Sequence, residues 1–350
     1  MSLFTSRQTF QPPVPLAAKS ATLTLSVLVL ISLASIVVAC LTGSVSLSLN
    51  ELGRAFIELM HGEPSSLAAS LLELRLGRAL TGFITGASLA LSGVMMQALL
   101  RNPLADPYVL GISGGASVGA LAMILFYGAF WMVDMAAFAG AIAVALLLFA
   151  LAYRDLRGSG SSEGSAPILL LTGVIVAAGC GALITLMLSV ASDSRLRGMV
   201  FWMIGDLSNT QTRFLPWVIG VLVLTFAMQN ARGINIAAMH ADNASTLGVN
   251  VGRLRQLLFL CSALLTASAV STAGSIGFVG LIMPHACRFA LGPDHRLLIP
   301  SATLAGGSFL VLADTIARTA VAPQQLPVGV ITAMIGVPMF LLQLHQLRRR

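Results

Sequence analysis

Ten long apolar segments follow one another along this chain, separated by short polar stretches. A bilayer core of about 30 Å needs about 20 apolar residues of helix to cross it, and a helix satisfies its backbone polar groups internally. The chain is 57% hydrophobic and only 9% charged, whereas soluble domains carry about 25% charged residues. The pattern therefore predicts an all-α, polytopic membrane protein.

The segments predict about ten transmembrane helices, which puts both termini on one side of the membrane. The eighth is rich in glycine and contains Pro284, so we expect it to be short or broken. Residues 1–20 are expected to form a flexible cytoplasmic tail, and 21–350 a single transmembrane domain. The ten predicted spans are 21–42, 79–100, 109–130, 131–152, 167–191, 214–230, 256–274, 275–291, 297–317 and 328–347.

The distribution of basic residues predicts the orientation of these spans. With both termini inside, most of the 20 Lys and Arg residues lie in cytoplasmic segments, including Arg348, Arg349 and Arg350 at the C-terminus. Positive charge is normally retained on the cytoplasmic side. We therefore expect a multi-pass membrane protein with both termini in the cytoplasm.

Three arginines depart from that bias. Arg75 and Arg78 in LELRLGRAL, and Arg318 in LADTIARTA, each lie at the end of an apolar segment that faces away from the cytoplasm in this topology. Charged residues at such positions are costly and are usually functional. The three arginines predict a docking site for an acidic partner.

Two connecting segments have apolar residues at helical spacing with a polar face opposite. The first, SLNELGRAFIELM within the outer loop 43–78, predicts a helix lying on the membrane surface. The second is the inner segment 231–255. Between residues 158 and 166, GSGSSEGSA predicts a flexible inner linker.

Neither the net charge nor the cysteines indicate a nucleic-acid, redox or metal function. The formal charge is +7, but the basic residues are dispersed between apolar stretches and form no face that could follow phosphates. The cysteines are far apart and lack CxxC spacing, so we interpret them as packing residues and expect neither a metal site nor a cofactor. They are Cys40, Cys180, Cys261 and Cys287.

The glycine-rich stretch GISGGASVG at 111–119 has two interpretations. Its small residues, Gly111, Gly115 and Gly119, favour close helix packing. The GxSG pattern also occurs in rhomboid-type intramembrane serine proteases, which would make Ser113 a nucleophile, but that chemistry needs a histidine at the same depth and none lies in the middle of a predicted span. The chain has no GxxxxGK[ST] motif, so we expect no nucleotide hydrolysis by this chain itself.

An ion-coupled secondary transporter is the remaining alternative. It would need a protonatable carboxylate deep in the membrane, and the candidates are Asp134 and Asp314, both near the outer ends of spans. Asp314 stands four residues before Arg318, so a salt bridge within one helix is the simpler interpretation.

Several longer motifs together are more specific. The stretches GASLALSGVMMQALL, RNPLADPYVLGISGGASVGA, GSIGFVGLIMPHACRFALGPDHRLLIP, LADTIAR and LPVGVITAMIGVPMF closely resemble the permease family of ABC importers for iron-siderophores, haem and vitamin B12. The motifs occur in the same order as in the family, and the resemblance covers nearly the whole chain.

The resemblance implies a permease subunit that moves a metal chelate into the cytoplasm and needs no cofactor of its own. It implies a second permease subunit, identical or different, a pair of ATP-binding subunits inside, and a periplasmic or surface-tethered substrate-binding protein outside. In the vitamin B12 importer of this family, arginines matching Arg75, Arg78 and Arg318 pair with glutamates on the two lobes of that protein. The resemblance also implies a location in the bacterial inner membrane.

The resemblance also implies that the loop IAAMHADNASTLGVNV, 236–251, forms short helices that fit a cleft of the ATPase. Two residues depart from the family pattern: Ala241 stands where the vitamin B12 permease has glutamate, and Gln325 stands before LPVG where glutamate is common. The first puts one contact to the ATPase in doubt, and the second alters the charge at the outer mouth. The residues assigned to coupling are His240, Ala241, Asp242, Asn243, Leu247 and Gly248.

Overall fold

The structure is a computed structural model that describes residues 18–43, 48–62, 65–153, 156, 165–208, 214–239, 247–322 and 324–348. These residues form twelve α-helices and one 3₁₀ helix, Pro107–Leu110. The α-helices are α1 Ala18–Leu41, α2 Leu49–Met60, α3 Leu67–Leu100, α4 Ile112–Leu125, α5 Phe130–Leu151, α6 Ser165–Val190, α7 Asp193–Ile204, α8 Phe214–Met239, α9 Val251–Ala273, α10 Val279–Leu291, α11 His295–Thr319 and α12 Val328–Arg348.

Ten of these helices correspond to the ten predicted spans, and the all-α membrane fold is confirmed. Seven helices are long and apolar enough to cross a bilayer, and three shorter apolar helices, α4, α10 and α12, overlap the other predicted spans. The helix predicted within the loop 43–78 is also present, as α2, which begins with a capping box between Ser48 and Glu51.

Helix α3 is the central element of the bundle. Its 34 residues pack against α1, α2, α8, α9, α10 and α11, and most of its apolar side chains are buried. Small residues permit the close approach: a Cβ on Gly86 would overlap the backbone of Gly306 in α11, and one on Gly93 would overlap Gly280 in α10. The Ser92 hydroxyl lies 2.8 Å from both the Ser262 and Thr266 hydroxyls of α9.

The chain between α9 and α10 is not helical, in agreement with the expected break in the eighth span. Gly274 and Phe278 adopt positive φ angles of 72° and 71°. Neighbouring segments satisfy the backbone that the break leaves free, because Asp206 N–H donates to Ala273 O and Ile276 N–H donates to the Tyr108 hydroxyl.

Two features differ from the sequence-based expectation. Helix α3 begins at Leu67, twelve residues before the predicted span at 79, so its first turns extend beyond the apolar stretch. Helix α7 was not predicted, because its sequence DSRLRGMVFWMI is polar at one end and has no clear apolar face.

Candidate docking and coupling sites

The three predicted docking arginines meet at one end of the bundle, which we call the arginine end. Arg75 and Arg78 lie on α3, and Arg318 lies on the last turn of α11. Their guanidinium groups lie around two acceptors: the carboxylate of Asp314 and the adjacent C-terminal end of α1. We call Arg75, Arg78, Arg318 and Asp314 the arginine cluster.

Asp314 joins two arginines from different helices. Arg78 forms a bidentate pair with it: Nε lies 2.9 Å from Oδ2, and Nη2 lies 2.7 Å from Oδ1. Arg318 Nε lies 3.1 Å from Oδ2, which confirms the salt bridge expected within one helix. The Asp314 side chain is 4% exposed, so this carboxylate faces the interior of the cluster.

Arg75 and Arg318 also donate hydrogen bonds that cap the C-terminal end of α1. Arg75 Nη1 donates to Cys40 O at 2.9 Å, and Arg318 Nη2 donates to Ala39 O at 3.2 Å. The last carbonyls of a helix lack partners within the helix and carry partial negative charge, so cations stabilise them. Both side chains are largely buried, and they fix the adjoining ends of α1, α3 and α11 to one another.

One donor of Arg78 contacts an exposed residue. Its Nη1 donates to Oε1 of Gln325 at 2.9 Å, and Gln325 is exposed in the segment before α12. The carboxylates of the nearby α2 are used locally: Glu51 accepts from Ser48, and Glu58 accepts from Ser66 at 2.8 Å. Those hydrogen bonds from Ser48 lower the pKa of Glu51.

A cavity of about 850 Å³ opens beside the arginine cluster, between α7 and the ends of α4, α9 and α12. Its lining includes aromatic side chains, and Gln325 and Pro327 also line it. Arg195 of α7 lies over the ring of Tyr127 at 3.2 Å and donates to Leu125 O, which ties α7 to the end of α4. The charged lining residues are Asp134, Arg195, Arg197 and Asp206.

At the opposite end of the bundle, Asn235 links α8 to the start of α11. Its Nδ2 donates to Asp294 Oδ1 at 2.7 Å, and its Oδ1 accepts from the backbone N–H of His295 at 2.9 Å. Asp294 also caps α11 by accepting from Arg296 N–H. This network fixes the last turns of α8, directly before the predicted coupling segment.

The predicted coupling segment is described only in part. His240, Ala241, Asp242 and Asn243 lie outside the described residues. Leu247 is exposed, and Gly248 has a φ of 78° with no atom within 4 Å of an added Cβ. Asn250 then caps α9 by accepting from Arg253 N–H at 3.0 Å. Gly248 therefore forms a sharp turn immediately before the helix.

The glycines of the 111–119 stretch lie at helix contacts. Gly115 and Gly119 of α4 face Gly140 and Ala136 of α5, where an added Cβ would meet carbonyl oxygens. Gly111 begins α4 with a φ of 76°, against Ala177 of α6. Neighbouring Ser113 accepts a hydrogen bond from Ser117 at its backbone oxygen, and its hydroxyl makes no hydrogen bond to any histidine that the structure describes.

The cysteines and acidic residues form no metal centre in the described part of the chain. No group of three or more His, Cys, Asp or Glu side chains is close enough there to hold a metal ion. Cys40, Cys180 and Cys287 are buried and Cys261 is partly buried, and all are free thiols. They pack between helices.

Comparison with known proteins identifies a family that covers most of the chain. Residues 27–346 match the FecCD transport family. The chain is 43% identical over 289 residues to the cobalamin import system permease protein BtuC of Halobacterium salinarum, covering 81% of this chain and 75% of that protein.

Other relatives are similar over comparable lengths. The hemin transport system permease protein HmuU of Yersinia pestis is 38% identical, covering 77% of this chain and 81% of its own. The vitamin B12 import system permease protein BtuC of Escherichia coli O9:H4 is 38% identical, covering 79% and 84%.

A solved structure has the same architecture. The inward-facing structure of a transporter described as a metal-chelate-type ABC transporter superposes with a TM-score of 0.80 at 27% identity, covering 93% of this chain and 99% of that one.

Proposed function

Because this chain belongs to the FecCD transport family, we propose that its two ends bind different partners of one importer. The chain is a multi-pass membrane protein and the permease subunit of an ABC importer for vitamin B12, haem or related metal chelates. ATP hydrolysis belongs to a separate subunit of such an importer. The alternatives of a secondary transporter and an intramembrane protease are set aside by this membership.

We propose that the arginine end faces away from the cytoplasm and receives the substrate-binding protein. The observation that carries this proposal is the arginine cluster, in which two guanidinium groups pair with one buried carboxylate and a third caps the adjoining end of α1. Arginine remains charged under all physiological conditions, so the cluster keeps a net positive charge. Such a surface steers and orients an acidic partner.

The arginines divide this work according to the acceptors that their guanidinium groups contact. Arg78 offers the outward donor and makes the direct contact with a carboxylate of the binding protein. Arg75 and Arg318 donate to the carbonyls of α1 and fix the helix ends. Their charges add to the positive electrostatic potential of this end. Docking therefore acts on a rigid junction of α1, α3 and α11.

The opposite end is proposed to face the cytoplasm, with both termini, and to meet the pair of ATP-binding subunits through the 236–251 segment. Asn235 attaches the beginning of this segment to α11, and the turn at Gly248 attaches its end to α9. Movement of the segment would then be passed to both helices. A second permease subunit, identical or different, completes the path for the chelate.

The docking proposal is tested with Arg78 of α3 and with a control arginine, Arg54, on α2. In the purified importer, Arg78→Gln should weaken binding of the co-purified binding protein about tenfold at low salt. Arg54→Gln, which removes an exposed arginine of α2, is the matched control and should change affinity less than twofold.

Arg78→Lys separates charge from folding, because it retains the cation and loses only the bidentate geometry. Its affinity should fall between that of Arg78→Gln and that of the unmodified importer, and binding should weaken as salt rises. Equal affinities for Arg78→Gln and Arg54→Gln would remove the docking role.

A further inference from the structure

Gln325 occupies the outward donor of Arg78. The bidentate pair with Asp314 uses Nε and Nη2, one edge of the guanidinium, and leaves Nη1 directed toward the exposed segment before α12. There the Gln325 amide oxygen accepts the Nη1 hydrogen bond at 2.9 Å. The two acceptors thus differ in burial and charge: one is a buried carboxylate and the other is an exposed neutral amide.

Because of this difference, a partner's carboxylate can replace Gln325 as the acceptor but does not replace Asp314. A charge-assisted hydrogen bond from a guanidinium to a carboxylate is about twice as strong as a bond between neutral groups. An incoming carboxylate therefore gains by displacing the amide of Gln325, whereas it gains nothing by displacing Asp314. The amide oxygen also holds Nη1 in an orientation from which Nη1 can donate to a partner's carboxylate instead.

Gln325 connects this donor to the neighbouring cavity. Leu326, the next residue, donates its N–H to Ala317 O at 3.1 Å, which anchors the segment to the last turn of α11. Gln325 and Pro327 both line the 850 Å³ cavity beside α7. Release of Gln325 from Arg78 would therefore free a side chain that lines the cavity.

We propose that Gln325 is a placeholder ligand: its amide oxygen occupies the Arg78 donor that a carboxylate of the substrate-binding protein takes on docking. Its neutrality determines how readily the exchange occurs, which makes position 325 a determinant of docking affinity. The proposal rests on the docking role of Arg78 given above. A carboxylate at position 325 would retain Arg78 in a second internal ion pair and repel the acidic partner.

The test compares two variants that add the same charge one residue apart. Gln325→Glu adds a carboxylate against Arg78, whereas Gln324→Glu adds it at an exposed neighbour whose side chain makes no described contact with the arginine cluster. The assembled importer is immobilised, and binding of its co-purified binding protein is measured by biolayer interferometry. Gln325→Glu should bind about tenfold more weakly than Gln324→Glu.

A third variant removes the placeholder without adding charge. Gln325→Ala should bind the binding protein at least as tightly as the unmodified importer, because the incoming carboxylate no longer has an amide to displace. A difference below about threefold between the two Glu variants overturns the proposal, and so does weaker binding by Gln325→Ala. Either result, combined with the expected loss in Arg78→Gln, would leave docking by Arg78 intact.

Discussion

Arg78 and Asp314 form a bidentate ion pair between residues that lie 236 positions apart in the chain. The pair joins the central helix α3 to the end of α11, and Arg318 and Arg75 extend the junction to the end of α1. One buried carboxylate therefore organises the end of the protein that we propose to face the binding protein.

Asp314→Asn should destabilise the permease, because it leaves two largely buried guanidinium groups without their carboxylate. Removing one partner of a buried ion pair costs about 3 kcal/mol of unfolding free energy. The thermal unfolding midpoint of the purified importer in detergent should fall clearly. Asp193→Asn, which removes an exposed carboxylate from the first turn of α7, is the control and should cost only about 0.5 kcal/mol. Equal midpoints for the two variants would contradict this account.

Gly119→Ala should also lower the unfolding midpoint. The added methyl group would overlap the carbonyl oxygen of Ala136, so α4 and α5 must separate. Overpacking of this kind costs about 1–3 kcal/mol. The control is Gly179→Ala on α6, where no atom lies within 4 Å of the added Cβ. A loss of stability in both variants would indicate a general effect of replacing helical glycine.

Sequence patterns predict the helices far better than they predict the arginine junction. Length and apolarity are sufficient for spans such as α5 and α6, and glycine and proline indicate the break near Phe278. The link between Asp314 and Arg318 also follows from their spacing. No local pattern, however, reveals that Arg78 is the second partner of Asp314, or that Arg75 caps α1, because these contacts join distant segments.

The stability of the importer should depend on pH through Asp106, which lies between α3 and α4. Burial raises the pKa of this carboxyl to about 6, although the hydrogen bond from Tyr108 N–H opposes the shift. The folded state therefore holds this proton more tightly than the unfolded state, whose pKa is near 3.8. The resulting stabilisation is fully present below the unfolded value and is lost as pH rises through about 6.

Asp106→Asn isolates this contribution, because the amide oxygen can still accept from Tyr108 and no proton can be lost. At pH 7.5 the variant should unfold at a higher temperature than the unmodified importer, and near pH 4.5 the difference should shrink. Unfolding midpoints at both pH values, with Asp193→Asn as the reference, provide the measurement. A constant difference across this range would show that Asp106 titrates normally.

Gly248→Trp should uncouple ATP hydrolysis from docking while the protein remains inserted in the membrane. Gly248 has a positive φ of 78°, which a side chain adopts only at a cost of about 1–2 kcal/mol, so the turn that positions the coupling segment must change. We expect ATP turnover to lose its stimulation by the binding protein in reconstituted liposomes. Gly62→Trp is a matched control, because Gly62 has a φ of 81° and equally open surroundings but follows α2, on the arginine side of the bundle. That variant should retain stimulation.

The location of the coupling segment is tested by Asn243→Cys in the same importer. If the segment enters a cleft of the ATP-binding subunit, this cysteine should crosslink to that subunit and react with thiol reagents only from the cytoplasmic side. Labelling only from outside the cell would invert the orientation of the whole bundle. The arginine end would then face the cytoplasm, and an extracellular binding protein could not reach Arg78.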